Sequence, residues 1–262
     1  MLDRKEIYGI EIILIGKRSI FEMAKSNRFR FILASAILLL LVLVAVVFFF
    51  IRSNLRGQGG DAETEDYELQ GVDLSAHNGK VDFGKIKEAG IDFVILKASE
   101  GSGFRDSLFE ANYEAAAANG LYVGAYHFFR FDVDGLQQAR NFLDATAGKH
   151  FDMPLAIDVE EHGNPYVFVK SKVVRQLQDM IDELSANERR VMIYTNKGGY
   201  DKFIKENFDD YPLWICSFTL PEDTMEWTIW QYSHWGDIDG VEGEVDLNIF
   251  YGNETQWKRW TE

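Results

Sequence analysis

Three acids, Asp158, Glu160 and Glu161, fall within four residues directly after the apolar run 153–157. That run, with Pro154 ahead of its core and the turn residues His162-Gly163-Asn164-Pro165 behind the acids, reads as a buried strand. Side chains two apart on a strand face the same side, so Asp158 and Glu160 share a face and Glu161 does not. Two carboxyl groups placed together at a strand end repel each other and resist desolvation, which separates their pKa values. Glycoside hydrolysis uses such a pair, one group giving a proton to the leaving oxygen while the other works as a carboxylate. Ordinary solvated acids on a loop would give the same letters. What decides is the company that other strands bring to the same end.

Strand candidates recur at 69–74, 93–98, 121–128, 155–159, 190–194, 213–217, 228–232 and 245–250, with helical patterns at 82–89, 107–119, 136–147 and 170–187. Alternating apolar strands and helices imply parallel βα units. Eight strands in this length predict an α/β fold, an irregular TIM-like (β/α) barrel with fewer than eight helices; an open doubly wound sheet is the alternative. No Gly-x-Gly-x-x-Gly follows the first strand, so a dinucleotide fold has no support.

Function in parallel barrels collects at the carboxyl ends of the strands. Those ends carry Asp73, then Lys97 and Glu100, Tyr126 and His127, Asp158 and Glu160, Tyr194, Trp214 and Ser217, Gln231 and Tyr232, and Asp246. Acids and aromatics on one rim compose a carbohydrate cleft, where rings stack on sugar faces and acids handle hydroxyls and the glycosidic oxygen. His127 has no second ligand nearby, so no metal and no cofactor is expected.

Composition narrows the rest. Against 27 bases stand 42 acids, a net charge of −15, which argues against nucleic acid as a partner. The single cysteine, Cys216, excludes an internal disulfide, and its apolar run makes it a buried structural thiol. Residues 31–51 hold no charge and only Ser35 as a polar residue, enough to span a bilayer as one helix. Arg4, Lys5, Lys17, Arg18, Lys25, Arg28 and Arg30 precede that run, and only Arg52 and Arg56 follow closely, which places the N-terminus in the cytoplasm. The expected organisation is a cytoplasmic segment 1–30, a transmembrane helix 31–51, a flexible linker 52–66 and a catalytic domain 67–262. Residues 1–22 mix acids into the basic flank, and Met23 is a plausible working start.

The domain resembles family 25 glycoside hydrolases, the Chalaropsis-type lysozymes. The resemblance runs through Gly71-Val72-Asp73-Leu74-Ser75, Ile95-Leu96-Lys97-Ala98-Ser99-Glu100-Gly101, Gly124-Ala125-Tyr126-His127-Phe128 and Ile157-Asp158-Val159-Glu160. It continues in Ile193-Tyr194-Thr195, Leu213-Trp214-Ile215, Trp230-Gln231-Tyr232-Ser233 and Gly243-Glu244-Val245-Asp246-Leu247-Asn248. It implies cleavage of the β-1,4 bond between N-acetylmuramic acid and N-acetylglucosamine in peptidoglycan, with net retention through the substrate's acetamido oxygen. By the same resemblance Glu160 is the general acid, Asp158 orients the acetamido group, and Asp73 and Asp246 complete the catalytic floor. Glu100, Tyr126, His127, Tyr194, Trp214 and Gln231 are the expected substrate contacts. A chitinase-like glycosidase or a catalytically silent wall-binding module are the alternatives, and the presence of all four acids favours an enzyme. The expected setting is a bacterial inner membrane, with a monomeric catalytic domain on the periplasmic or extracellular side acting on glycan strands.

Overall fold

The computed structural model describes residues 34, 37–44, 46, 47, 64, 67–222 and 224–262. The expected segment 1–30 lies outside the described residues, as does nearly all of the linker 52–66. Within the expected membrane segment 31–51, the described residues are helical and exposed. No helix among the described residues is long and apolar enough to cross a membrane. The chain divides into two units, Met1–Leu55 and Arg56–Glu262, and the second holds the barrel.

Nine strands form one sheet: β1 (Gln70–Leu74), β2 (Phe93–Glu100), β3 (Phe104–Arg105), β4 (Tyr122–Phe128), β5 (Leu155–Asp158), β6 (Val191–Asn196), β7 (Leu213–Cys216), β8 (Ile229–Gly236) and β9 (Val245–Phe250). Their order is β1-β9-β8-β7-β6-β5-β4-β2, with β3 a short appendage on β2, and pairing of β1 with β2 closes the ring. Eight strands therefore make the barrel. Between the early ones lie helices α1 (Phe83–Glu88), α2 (Phe109–Ala118), α3 (Gly135–Ala145) and α4 (Lys170–Ala186), and α5 (Glu254–Thr261) follows β9. Asp82 and Asp134 cap α1 and α3 by accepting from Lys85 N and Gln137 N at 3.2 and 3.1 Å. Gly90 and Gly120, at φ +88° and +70°, turn the chain out of α1 and α2 where a side chain would be strained.

The expectation of parallel pairing fails at one strand. β1, β2, β4, β5, β6, β7 and β8 run parallel, whereas β9 is antiparallel to both β8 and β1. The reason is the connection. Only residues 237–244 separate β8 from β9, too short a connection for a parallel crossover, so the chain doubles back as a hairpin.

Strand alternation sorts side chains into two layers. Outward residues such as Val72, Val94, Val123, Ile157 and Ile193 pack on Phe142, Leu177 and Ile181 of the helices. Inward residues Phe93, Ile95, Ala156, Met192 and Ile229 fill the barrel, whose amino-terminal floor is closed by Trp257 of α5. Trp257 stacks on Phe93 at 5.0 Å and meets Phe250 edge-on at 4.9 Å. Where no helix covers β7, β8 and β9, the aromatics Trp230, Trp227, Tyr232 and Tyr67 do so.

Candidate active site

The carboxyl-end mouth of the barrel is a cleft of about 730 Å³ lined by Asp73, Lys97, Tyr126, Asp158, Glu160, Tyr194, Trp214, Gln231 and Asp246, among others. The four acids named from the sequence thus share one cleft. Asp73 ends β1 on its inward face, and Asp158 ends β5 the same way. Beyond Asp158 the chain stays extended, because Val159 N donates to Tyr194 O at 2.8 Å and Thr195 Oγ1 donates to Val159 O at 2.6 Å. Glu160 therefore keeps the face of Asp158. Asn164 fixes the turn by donating to Glu160 O at 2.9 Å. Asp246 reaches the rim by another route. It stands near the amino end of β9, and only the reversed direction of that strand sets it opposite Asp73.

Hydrogen bonds hold the floor. Gln231 Nε2 and Asn248 Nδ2 both donate to Asp73 Oδ2 at 2.8 Å. Tyr194 donates to Gln231 Oε1, and Trp214 Nε1 donates to Asn248 Oδ1, each at 2.8 Å. Asp158, only 6% exposed, keeps one buried oxygen, Oδ1, without a hydrogen-bond partner. Burial raises Asp73 well above the ordinary carboxylate range and the charge of Asp246 adds to the effect, against the pull of the Asn248 and Gln231 donors. Burial also raises Asp158 well above that range, reinforced by Glu160 and opposed by Lys97. Glu160 is raised by burial, while His162 and His234 draw it back. Such a site can hold a proton on one carboxyl group near neutral pH and offer a second as an acceptor.

Two expected contacts stand elsewhere. His127 points outward from β4, fully buried, with Nδ1 2.8 Å from Ser99 Oγ and Nε2 3.3 Å from Gln138 Oε1. Burial lowers its pKa to about 3, so it is a neutral core residue rather than a sugar contact. Glu100 pairs with Lys97 at 2.8 Å and Arg130 at 3.6 Å, and it is Lys97 that faces the cleft. Tyr232 belongs to the outer aromatic layer.

Several lining residues escaped the sequence reading. Cys216 is no deeply buried thiol: half-buried on the inward face of β7, it lies 3.6 Å from His234 Nε2. His234 Nδ1 is 2.7 Å from Asp246 Oδ1, and that bond, with Cys216 next, pushes its pKa up to about 10. Gln231 and His234 are three apart, so strict alternation would set them on opposite faces. Register slips between Gln231 and Gly236 bring both into the cleft. Asn248 could have been found, since it stands two residues beyond Asp246 on the same face.

Comparison with known proteins agrees with this geometry. The profile of Glycosyl hydrolases family 25 matches residues 72–241. Lysozyme M1 of Streptomyces globisporus is 31% identical over 215 residues, 74% of this chain and 71% of that one. The uncharacterized protein YegX of Escherichia coli K12 is 33% identical over 194 residues, 71% of each chain. The structure of a family 25 glycosyl hydrolase from Bacillus anthracis superposes with a TM-score of 0.70 at 34% identity, covering 76% of this chain and 95% of that one.

Proposed function

The chain belongs to glycosyl hydrolases family 25, and from that premise we propose that it is a lysozyme, an N-acetylmuramidase that cuts the β-1,4 bond from N-acetylmuramic acid to N-acetylglucosamine in peptidoglycan. The observation that carries this reading is the pair Asp158 and Glu160, with the unpartnered Asp158 oxygen on the cleft floor. A buried acceptor without a donor costs stability, and a substrate amide N–H would satisfy it. Asp158 accepts from the 2-acetamido N–H and turns the acetamido oxygen toward the anomeric carbon. Glu160 gives its proton to the glycosidic oxygen as that bond breaks and the acetamido oxygen bonds to the anomeric carbon. Water then attacks that carbon from the vacated side, returns its proton to Glu160 and leaves net retention. Asp73 and Asp246 frame the floor, and Tyr126, Tyr194, Trp214 and Gln231 meet the sugar. No metal takes part.

Release of reducing ends from purified peptidoglycan tests this. The parent should act, and Glu160→Gln should lose activity by about 10²-fold or more. Full activity in Glu160→Gln sinks the acid assignment, and cleavage of chitin oligosaccharides in place of peptidoglycan sinks the substrate. A first-formed product of inverted anomeric configuration refutes acetamido participation.

The same proposal includes the organisation read from the sequence: a cytoplasmic segment 1–30, an anchor 31–51 in a bacterial inner membrane, a linker 52–66 and a monomeric catalytic domain 67–262 on the outer side. The charge asymmetry about 31–51 supports it, as do the exposed apolar side chains of the described residues there, Leu38 to Val44 among them. Extraction of the native protein from membranes by alkaline carbonate, without detergent, would refute the anchor.

A further inference from the structure

Beside the cleft, the loop that leaves Glu160 carries two aromatics which the domain leaves in solvent. Phe168 is 90% exposed and Tyr166 76%, the highest values among large apolar side chains of the described residues from 67 onward, and Val169 beside them is exposed too. The two rings meet edge-on at 4.9 Å, which holds them as one platform instead of two independent side chains. Lys202 extends over the Tyr166 ring at 5.9 Å from its centroid and pairs with Glu161. Exposed apolar groups gathered in one place are uncommon on a solvated surface and mark contact with a partner.

A hollow of about 360 Å³ adjoins the platform. Lys170, Lys202 and Lys205 line it together with Asp201 and Glu206. Neither Lys170 nor Lys205 makes an ion pair with a described residue, so both ammonium groups can meet a ligand, although Asp201 and Glu206 in the same lining offset their charge. Two segments each feed both sites. Glu160 and His162 line the cleft, and Lys170 lines the hollow a few residues on. Likewise Lys197 and Gly198 line the cleft, and Asp201 and Lys202 line the hollow. Platform and hollow therefore stand on two segments that run on from the cleft, and together they form a track beside it.

We propose that this track is an outer binding site for the peptidoglycan strand that the cleft holds. Tyr166 and Phe168 stack against a sugar ring beyond the scissile bond, and the lysines of the hollow take the carboxylates of the stem peptide. The occupant follows from the platform's place on the segment that leaves the cleft and from the two unpaired lysines: peptidoglycan combines sugar rings, which stack on aromatics, with acidic peptides, which pair with lysines. The inference rests on the muramidase reading above and adds a site that determines preference for polymer over short glycan.

The test compares the full-length parent with Tyr166→Ala/Phe168→Ala and with Lys170→Glu/Lys205→Glu. On polymeric peptidoglycan each variant should raise KM by roughly three- to tenfold at unchanged kcat. On a stem-peptide-free tetrasaccharide, which fills the cleft alone, kcat/KM should match the parent. Phe168→Trp should restore the polymer KM when Tyr166 is kept. Unchanged KM on polymer overturns the proposal, and so does an equal loss on both substrates. Sedimentation of the same variants with insoluble wall, in a Glu160→Gln background, reads binding without turnover. If the parent cleaves neither substrate, the muramidase reading fails, and the sedimentation still decides the site. Loss of binding to phosphatidylglycerol–phosphatidylcholine vesicles, with wall binding unchanged, would assign the platform to the membrane instead and overturn it.

Discussion

The barrel has two arcs built on different rules. From β1 through β7 the barrel strands run parallel, helices cover all of them but β7, and the site residues stand at carboxyl ends. From β8 through β9 back to β1 the sheet turns antiparallel, aromatics replace helices, and Asp246 reaches the rim from an amino end. The comparison teaches that a site follows a rim in space, not an end of a strand in sequence. One reversed strand delivers its acid to the same rim as its neighbours, provided that it enters the barrel from the opposite side.

The largest expected effect tests whether both arcs share in the chemistry. Asp158→Asn from the parallel arc and Asp246→Asn from the reversed one should each lower kcat by about 10²-fold, measured as reducing ends released from purified peptidoglycan. An Asp246→Asn enzyme within threefold of the parent would leave the reversed arc a purely architectural part. Next comes stability. Phe142→Ala under the helices and Trp230→Ala under the aromatic cover should each cost about 3–5 kcal/mol in urea denaturation, since both side chains are fully buried. A cost below about 1 kcal/mol for Trp230→Ala would show that aromatics cover the sheet without securing it.

A smaller effect probes the helix layer, which the reversed arc lacks. A Cβ on Gly135 would stand 1.9 Å from the backbone oxygen of Gln176, so α3 and α4 must separate to admit it. Gly135→Ala should cost about 1–3 kcal/mol by the same denaturation measurement. The smallest effect belongs to the reversed arc and depends on pH. His234 is held to about 10 by Asp246, above its value of 6.5 in an unfolded chain. Its pairing therefore contributes stability that is fully present below pH 6.5 and is lost as pH rises through about 10. With the side chain 38% exposed, the contribution is under about 1 kcal/mol. The Tm difference between parent and His234→Asn should be largest near pH 6 and vanish above pH 10. A difference that is constant with pH would assign His234 a packing role only.

The parallel arc was legible because its physics is periodic. Apolar strands and helical patterns repeat, and the strand ends pointed to Asp73, Asp158 and Glu160. The reversed arc was legible only in part: its strands, Gln231 and Asp246 were read, but not the direction of β9 or the place of His234. The residues Val245 to Phe250 read alike in either direction, so nothing in their pattern states that β9 turns back; only the short connection between β8 and β9 carries that information. His234 was hidden by register slips that break the alternation on which face assignments rest. His127 shows the converse. Adjacent to Tyr126 on a regular strand, it had to face the other way, and strict alternation would have set it in the core. Cys216 likewise follows Trp214 by two and shares its inward face.

The ring closure has a consequence in time. Asp73 receives its hydrogen bonds from Gln231 and Asn248, which stand 158 and 175 residues further along the chain. Contacts of such sequence separation form slowly, because the intervening chain must be ordered before they are rewarded. A nascent or truncated chain that ends before Asp246 can assemble βα units, yet it leaves Asp73 without its Asn248 donor and without its facing acid. Hydrolytic competence is thus a late event in folding, which keeps an enzyme that degrades wall polymer inert until its barrel is closed.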